Sequence, residues 1–150
     1  MLGPEGLLLV KNRRRDGRHD WSPPGGVIDD GEGLIDGLTR EVLEETGLHV
    51  TRWSEPVYRI EATAPAMGWH LRVEAHVALE FSGEIYIDDP DGIVVDARWI
   101  ELDQCAAHLD ANHPWVREPL VEWLAEQWVD ARNYGYRVEG SAGDVVVSRL

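Results

Sequence analysis

The chain has 150 residues, 43% hydrophobic and 28% charged, which suits one well-buried core and is short for two ordinary domains. Its 28 acidic against 14 basic residues leave a formal charge of −14, so most of the surface repels a phosphate backbone and duplex nucleic acid is excluded as an expected partner. A phosphorylated small molecule is still compatible with that charge if divalent cations bridge the two.

The opening M-L-G-P-E-G-L-L-L-V lacks the basic start and cleavage pattern of a secretory signal. No apolar run reaches membrane-spanning length, so no membrane partner is expected. Leu7 to Val10 reads as a short buried strand after a turn at Gly3 to Gly6. Asn12 to Asp20 reads as a loop; with Arg13, Arg14, Arg15 and Arg18 it concentrates positive charge in an acidic chain. Those arginines are either solvated or in contact with phosphate, and Arg13 and Arg18 are kept as substrate-binding candidates. Pro23-Pro24-Gly25-Gly26 and Asp29-Asp30-Gly31 mark turns. From about Gly33 the period is helical, with Ile35, Leu38 and Val42 on one stripe and Gly47 placed as a left-handed C-terminal cap.

Strands are expected at Val57 to Ala62, at Leu71 to Phe81 as one alternating two-faced strand, and at Ile93 to Ile100. Cys105 is the only cysteine, so no internal disulfide is possible and a reduced, cytoplasmic setting fits. Pro114 to Asp130 reads as a helix with Trp115, Leu120, Trp123, Leu124 and Trp128 as its apolar set. Tyr134 to Glu139 and Val145 to Leu150 read as a hairpin, either an added sheet edge or an element shared with a second subunit. The aromatic helix and this hairpin predict a homodimer. Taken together, the elements predict a single α/β domain over residues 1–150, with a mixed sheet and a C-terminal helix and hairpin over 114–150.

The stretch R-E-V-L-E-E-T-G, Arg40 to Gly47, poses a physical problem. At about 100° per residue a helix places Glu41, Glu44 and Glu45 within one arc of roughly 100°, where like charges destabilise it. Read from Gly26, the chain runs G-V-I-D-D-G-E-G-L-I-D-G-L-T-R-E-V-L-E-E-T-G-L. It matches G-x5-E-x7-R-E-U-x-E-E-x-G-U, with U a bulky aliphatic residue, at Gly26, Glu32, Arg40, Glu41, Val42, Glu44, Glu45, Gly47 and Leu48. Average residue usage would meet these requirements on the order of once in a billion starting positions. Over residues 26–48 the chain resembles the Nudix hydrolase superfamily, of which MutT-like and ADP-ribose pyrophosphatase-like enzymes are members. More loosely, the resemblance runs from Leu7 to about Leu109.

The resemblance implies an α/β/α sandwich with a mixed sheet, and Mg²⁺- or Mn²⁺-dependent hydrolysis of a nucleoside diphosphate linked to another moiety. It implies Glu41, Glu44 and Glu45 as catalytic residues and metal ligands, with the carbonyl of Gly26 completing the shell. Glu32 and Arg40 resemble the family's structural ion pair. Physics gives the crowding a purpose, since hard divalent cations take oxygen ligands and relieve carboxylate repulsion. Among Asp88, Asp89, Asp91 and Asp96, Asp91 is singled out as a further acidic ligand. Trp21 and Trp69 stand as base-stacking candidates, although seven tryptophans make packing the default. The six histidines share no metal-ligand spacing. Pro65 falls near where a downstream proline occurs in ADP-ribose-cleaving relatives, and this resemblance slightly favours ADP-ribose or a nucleotide sugar as substrate; oxidised or ordinary nucleoside triphosphates are the alternative, and a non-catalytic nucleotide sensor is the reading of another class. The family places one more strand before Leu7, where only Met1 to Gly6 is available, and Gly33 and Gly37 cost the box helix up to about 1 kcal/mol each.

Overall fold

In the computed structural model, which describes residues 1–141 and 143–150, the first apolar run lies inside a longer strand, β2 (Gly6–Arg13), preceded by the two-residue β1 (Leu2–Gly3). Two units follow from the chain's path, one from Met1–Trp53 with Ala78–Asn112, the other from Ser54–Val77 with His113–Leu150. No described helix is long and apolar enough to cross a membrane.

In the first unit, β2 pairs antiparallel with β1, with β3 (His19–Ser22) and with β8 (Val94–Ile100). Leu8 and Val10 point to one face of this sheet, where Val42 of helix α1 (Leu34–Thr46) joins them in the core with Leu48, Val50 and Ala97. Leu7 and Leu9, on the other face, are equally buried. A separate ribbon pairs β4 (His49–Trp53) with β7 (Ala78–Ser82). Trp53 ties β4 to α1, its indole N–H donating to Thr39 Oγ1 at 2.9 Å. The short helix α2 (Cys105–His108) follows β8.

The second unit holds a mixed sheet. Here β5 (Tyr58–Ala64) pairs antiparallel with β6 (Trp69–Ala75) and parallel with β9 (Arg132–Ser141), and β10 (Asp144–Arg149) forms the far edge. The hairpin is thus an added sheet edge within its own chain. Helix α3 (Pro114–Glu126) buries Trp115, Leu120 and Trp123. It stops before the expected Asp130 because Gln127 turns left-handed at φ 49°. Trp128 then lies beyond the helix, its indole donating to the Val57 carbonyl at 2.6 Å.

Two expectations need correction. The basic segment Asn12 to Asp20 is mostly hairpin, because Asn12 turns inward and its amide donates to Asp20 Oδ1 (3.0 Å) and Ser22 Oγ (2.8 Å), satisfying a buried polar group inside the strand. The single strand expected over Leu71 to Phe81 is two strands in different sheets. Ser54 breaks it: its N–H donates to the Val77 carbonyl at 2.9 Å and its hydroxyl accepts the Val77 N–H at 2.8 Å. The inward phase then changes, so Ala78 is buried while Leu79 is 45% exposed. Accordingly Leu79→Lys should change unfolding free energy by no more than about 0.5 kcal/mol, whereas Leu8→Ala should cost about 2–5 kcal/mol. Urea denaturation of both variants checks this; a comparable loss in each would restore the continuous two-faced strand.

Candidate active site

The acidic helix is held at both ends by backbone geometry. Gly47 adopts φ 76° and donates its N–H to the Leu43 carbonyl at 2.8 Å, closing α1 with a left-handed cap. A Cβ at this position would sit 2.6 Å from Tyr86 N and 2.7 Å from Glu84 O, so chain packing requires glycine as much as torsion does. The same stretch donates Tyr86 N–H to the Thr46 carbonyl and Asp88 N–H to the Glu44 carbonyl, each at 2.9 Å. Two carbonyls that lack helical partners thereby pin the acidic turn after Ile87 to the helix.

At the other end, the buried Gly37 explains its own presence. A Cβ there would lie 2.7 Å from both Glu32 Oε2 and Ile28 Cδ1, so its absence lets the 28–32 loop lie on the helix and offsets the poor helical propensity. Glu32 is thus brought to Arg40. The guanidinium grips it bidentately, Nε to Oε1 at 2.9 Å and Nη2 to Oε2 at 3.0 Å. Its remaining edge reaches Glu41 Oε1 at 2.8 Å and Glu44 Oε2 at 3.3 Å. Hydrogen bonds from Arg40, then from the Asp29 N–H, hold the Glu32 carboxyl down to about 2.

Glu45 stands apart from that cation. Its Oε2 accepts the Gly25 N–H at 2.9 Å, and a side chain at Gly26 would overlap the Glu41 carboxylate. Burial, reinforced by the charges of Glu41, Asp89 and Glu44, pushes Glu45 up to about 7 against the lowering effect of the Gly25 bond. Among the described residues, no three His, Cys, Asp or Glu side chains converge closely enough to enclose a metal ion. Arg40 engages Glu41 and Glu44, while Glu45 turns to Gly25. The donor chemistry nonetheless suits a hard divalent cation: three carboxylates at helix spacings of three and four, one lifted to about 7 by burial and by neighbouring negative charges that a cation would relieve.

The structure brings Gly26, Glu32, Arg40, Glu41, Glu44 and Glu45 together with Asp89, and leaves the other candidates elsewhere. Asp91 is exposed and donates its N–H to Asp89 Oδ1. Asp89 organises the turn, accepting also from the N–H groups of Ile93 and Val94 at 2.8 and 2.9 Å, and its charge reaches Glu45. The D-P-D-G sequence carried that signal, because an aspartate opening a turn readily accepts the backbone N–H two residues on. Trp21 and Arg13 lie on the sheet face opposite the one packed on Val42. Arg18 turns back to Asp16 at 2.6 Å. Trp69 belongs to the second unit, where it meets Trp115 edge-on at 6.0 Å.

A family model for the NUDIX domain matches residues 1–124, and the chain belongs to that family. It is 42% identical over 117 residues to an oxidized purine nucleoside triphosphate hydrolase of Mus musculus, covering 69% of this chain and 64% of the relative. A MutT NUDIX hydrolase from Burkholderia pseudomallei superimposes with a TM-score of 0.65 at 25% identity, over 81% of this chain and 90% of the other. A MutT protein from Bacillus halodurans shares the fold at a TM-score of 0.69 and 18% identity, over 97% and 90% of the two chains. The chain spans less than two thirds of the length of the curated relatives it matches.

Two outcomes follow. Gly47→Ala should destabilise the protein by about 2 kcal/mol or more, since strain at positive φ adds to overlap with the 84–86 backbone; thermal melting that matches the parent would contradict it. Glu45 binds its proton more tightly folded than unfolded. The metal-free protein therefore loses this contribution as pH rises from about 4.5 to about 7, with no further loss above. In EDTA, Glu45→Gln should exceed the parent's stability by about 1–3 kcal/mol at pH 8 and match it near pH 4.5. A difference that does not vary with pH would refute this.

Proposed function

We propose that the chain is a divalent-metal-dependent pyrophosphohydrolase acting on a nucleoside diphosphate linked to another moiety. One observation carries the reading: Glu41, Glu44 and Glu45 share one helical arc in which Arg40 is the only cation bonded among the described residues, and Asp89 adds a further negative charge. A purely structural helix gains nothing from that crowding. Mg²⁺ or Mn²⁺, when bound, neutralises charge on the pyrophosphate and lowers the pKa of a coordinated water.

The chain's own residues divide the remaining work. Glu41, Glu44 and Glu45, with the backbone at Gly26, would hold the cation. Arg40 sets the rotamers of Glu41 and Glu44 while Glu32 holds Arg40. Without a cation, burial and the neighbouring charges lift Glu45 to about 7; a bound cation would displace that proton and leave the carboxylate ionised as a ligand. Intact carboxylates also weigh against the non-catalytic sensor.

On substrate, the 42% identical relative is named for oxidized purine nucleoside triphosphates, which favours that class. Pro65, the support for ADP-ribose, opens a 3₁₀ turn over Pro65–Met67, as a turn proline does. The test is a hydrolysis panel with each metal, offering 8-oxo-dGTP, ordinary dNTPs, ADP-ribose and nucleotide sugars. One class should be cleaved far faster, and Glu45→Gln should lower its rate by roughly 10²-fold or more. Metal-independent turnover, or full activity in the variant, would overturn the reading. The protein is further proposed to be a cytoplasmic homodimer, supported by β10, an edge strand with no described partner beyond β9 and with Val146 62% exposed. Sedimentation showing only monomer across micromolar concentrations would remove the dimer.

A further inference from the structure

Positive charge in this chain is almost wholly compensated, with one exception. Ten of the fourteen basic side chains form ion pairs with carboxylates, and Arg117 is also engaged. The remaining three, Lys11, Arg13 and Arg15, make no ion pair among the described residues, and all belong to the β2–β3 hairpin. Residues 11–20 hold five cations against Asp16 and Asp20, a net +3, which leaves −17 on the rest of the chain.

Strand register shows which of these groups share a surface. Lys11 stands opposite Trp21 on β3 and Asp96 on β8, Arg13 stands opposite His19, and Arg98 stands opposite Leu9. Positions two apart in a strand face the same way, so Lys11, Arg13, His19, Trp21 and Arg98 line one face. Lys11 Nζ and Arg98 Cζ each lie 5.9 Å from the centre of the Trp21 ring, and His108 meets that ring edge-on at 5.7 Å. Asp96 also lies on this face and pairs with Arg98 at 2.8 Å. The opposite face packs on Val42 of α1 through Leu8 and Val10. The patch is therefore separated by the sheet from the helix that carries the glutamates.

Charge and size together select the occupant. Two uncompensated cations, Lys11 and Arg13, on the face of an indole that Arg98 also approaches complement a phosphate attached to an aromatic base. The surrounding negative charge acts over about 8–10 Å at ordinary salt, so a ligand must be short enough to stay within that range. A polymer would extend into repulsion. We infer that the face carrying Lys11, Arg13, Trp21 and Arg98 is an accessory site for a mononucleotide, with its phosphate on the cations and its base against the indole. The site goes beyond the proposed hydrolysis and does not depend on it.

The test is an NMR titration of the full chain in EDTA, which keeps the glutamate cleft free of metal, with AMP, GMP, inorganic phosphate and a single-stranded 20-mer as probes. AMP or GMP should shift the Trp21 indole and the Lys11 and Arg13 amides saturably. Affinity should fall by at least 5-fold in Lys11→Gln/Arg98→Gln and persist in Lys11→Arg, with the double variant's spectrum confirming its fold. Inorganic phosphate should bind several-fold more weakly than either nucleotide. Three outcomes would overturn the assignment: no shift at these residues, equal affinity for phosphate and nucleotide, or tighter binding of the 20-mer. Retained affinity in the double variant would do the same.

Discussion

Repulsion among Glu41, Glu44 and Glu45 is the constraint around which the first unit is organised. Three carboxylates on one arc destabilise a helix unless something opposes their charge, and the Arg40 guanidinium does so for two of them. Arg40 cannot serve all three. It holds Glu32 with one edge and reaches Glu41 and Glu44 with the other, leaving Glu45 to a backbone N–H and a raised affinity for its proton. The unequal treatment distinguishes the three glutamates chemically: a guanidinium engages Glu41 and Glu44, while Glu45 keeps a raised proton affinity that a bound cation would relieve.

The scaffold exists largely to keep that arrangement rigid. Val42 anchors the opposite flank of α1 in the core with Leu8 and Val10, and Trp53 fixes the middle of the helix through Thr39. The Gly47 cap and the bonds from Tyr86 and Asp88 then secure the helix end where Asp89 adds its charge. Packing here replaces intrinsic propensity, which is why Gly33 and Gly37 are tolerated in and beside the helix.

Legibility in the sequence followed the range of the interaction responsible. The limits of α1 and the spacing of its carboxylates could be read because helical period and a glycine cap are local signals. The break between β6 and β7 could not, because the group that causes it, Ser54, lies 23 residues from Val77. Asn12 and Asp20 looked like loop residues because nothing in the linear pattern says that two inward polar groups will satisfy each other. For the same reason the sequence does not separate Asp91 from Asp89: both suit a turn, and only the direction of the side-chain bonds distinguishes them. Trp21 and Trp69 looked equivalent, yet the fold assigns them to different units.

The most direct test of this account is calorimetry of Mn²⁺ binding at pH 7 in two buffers of different ionisation enthalpy, which counts protons released per ion bound. Glu45, raised to about 7, carries a proton in part of the population at that pH, so occupation of the cleft should release a fraction of a proton. The release should vanish in Glu45→Gln. Binding without proton release, or with equal release in the variant, would mean that the cation is held elsewhere and that the crowded glutamates are not its site.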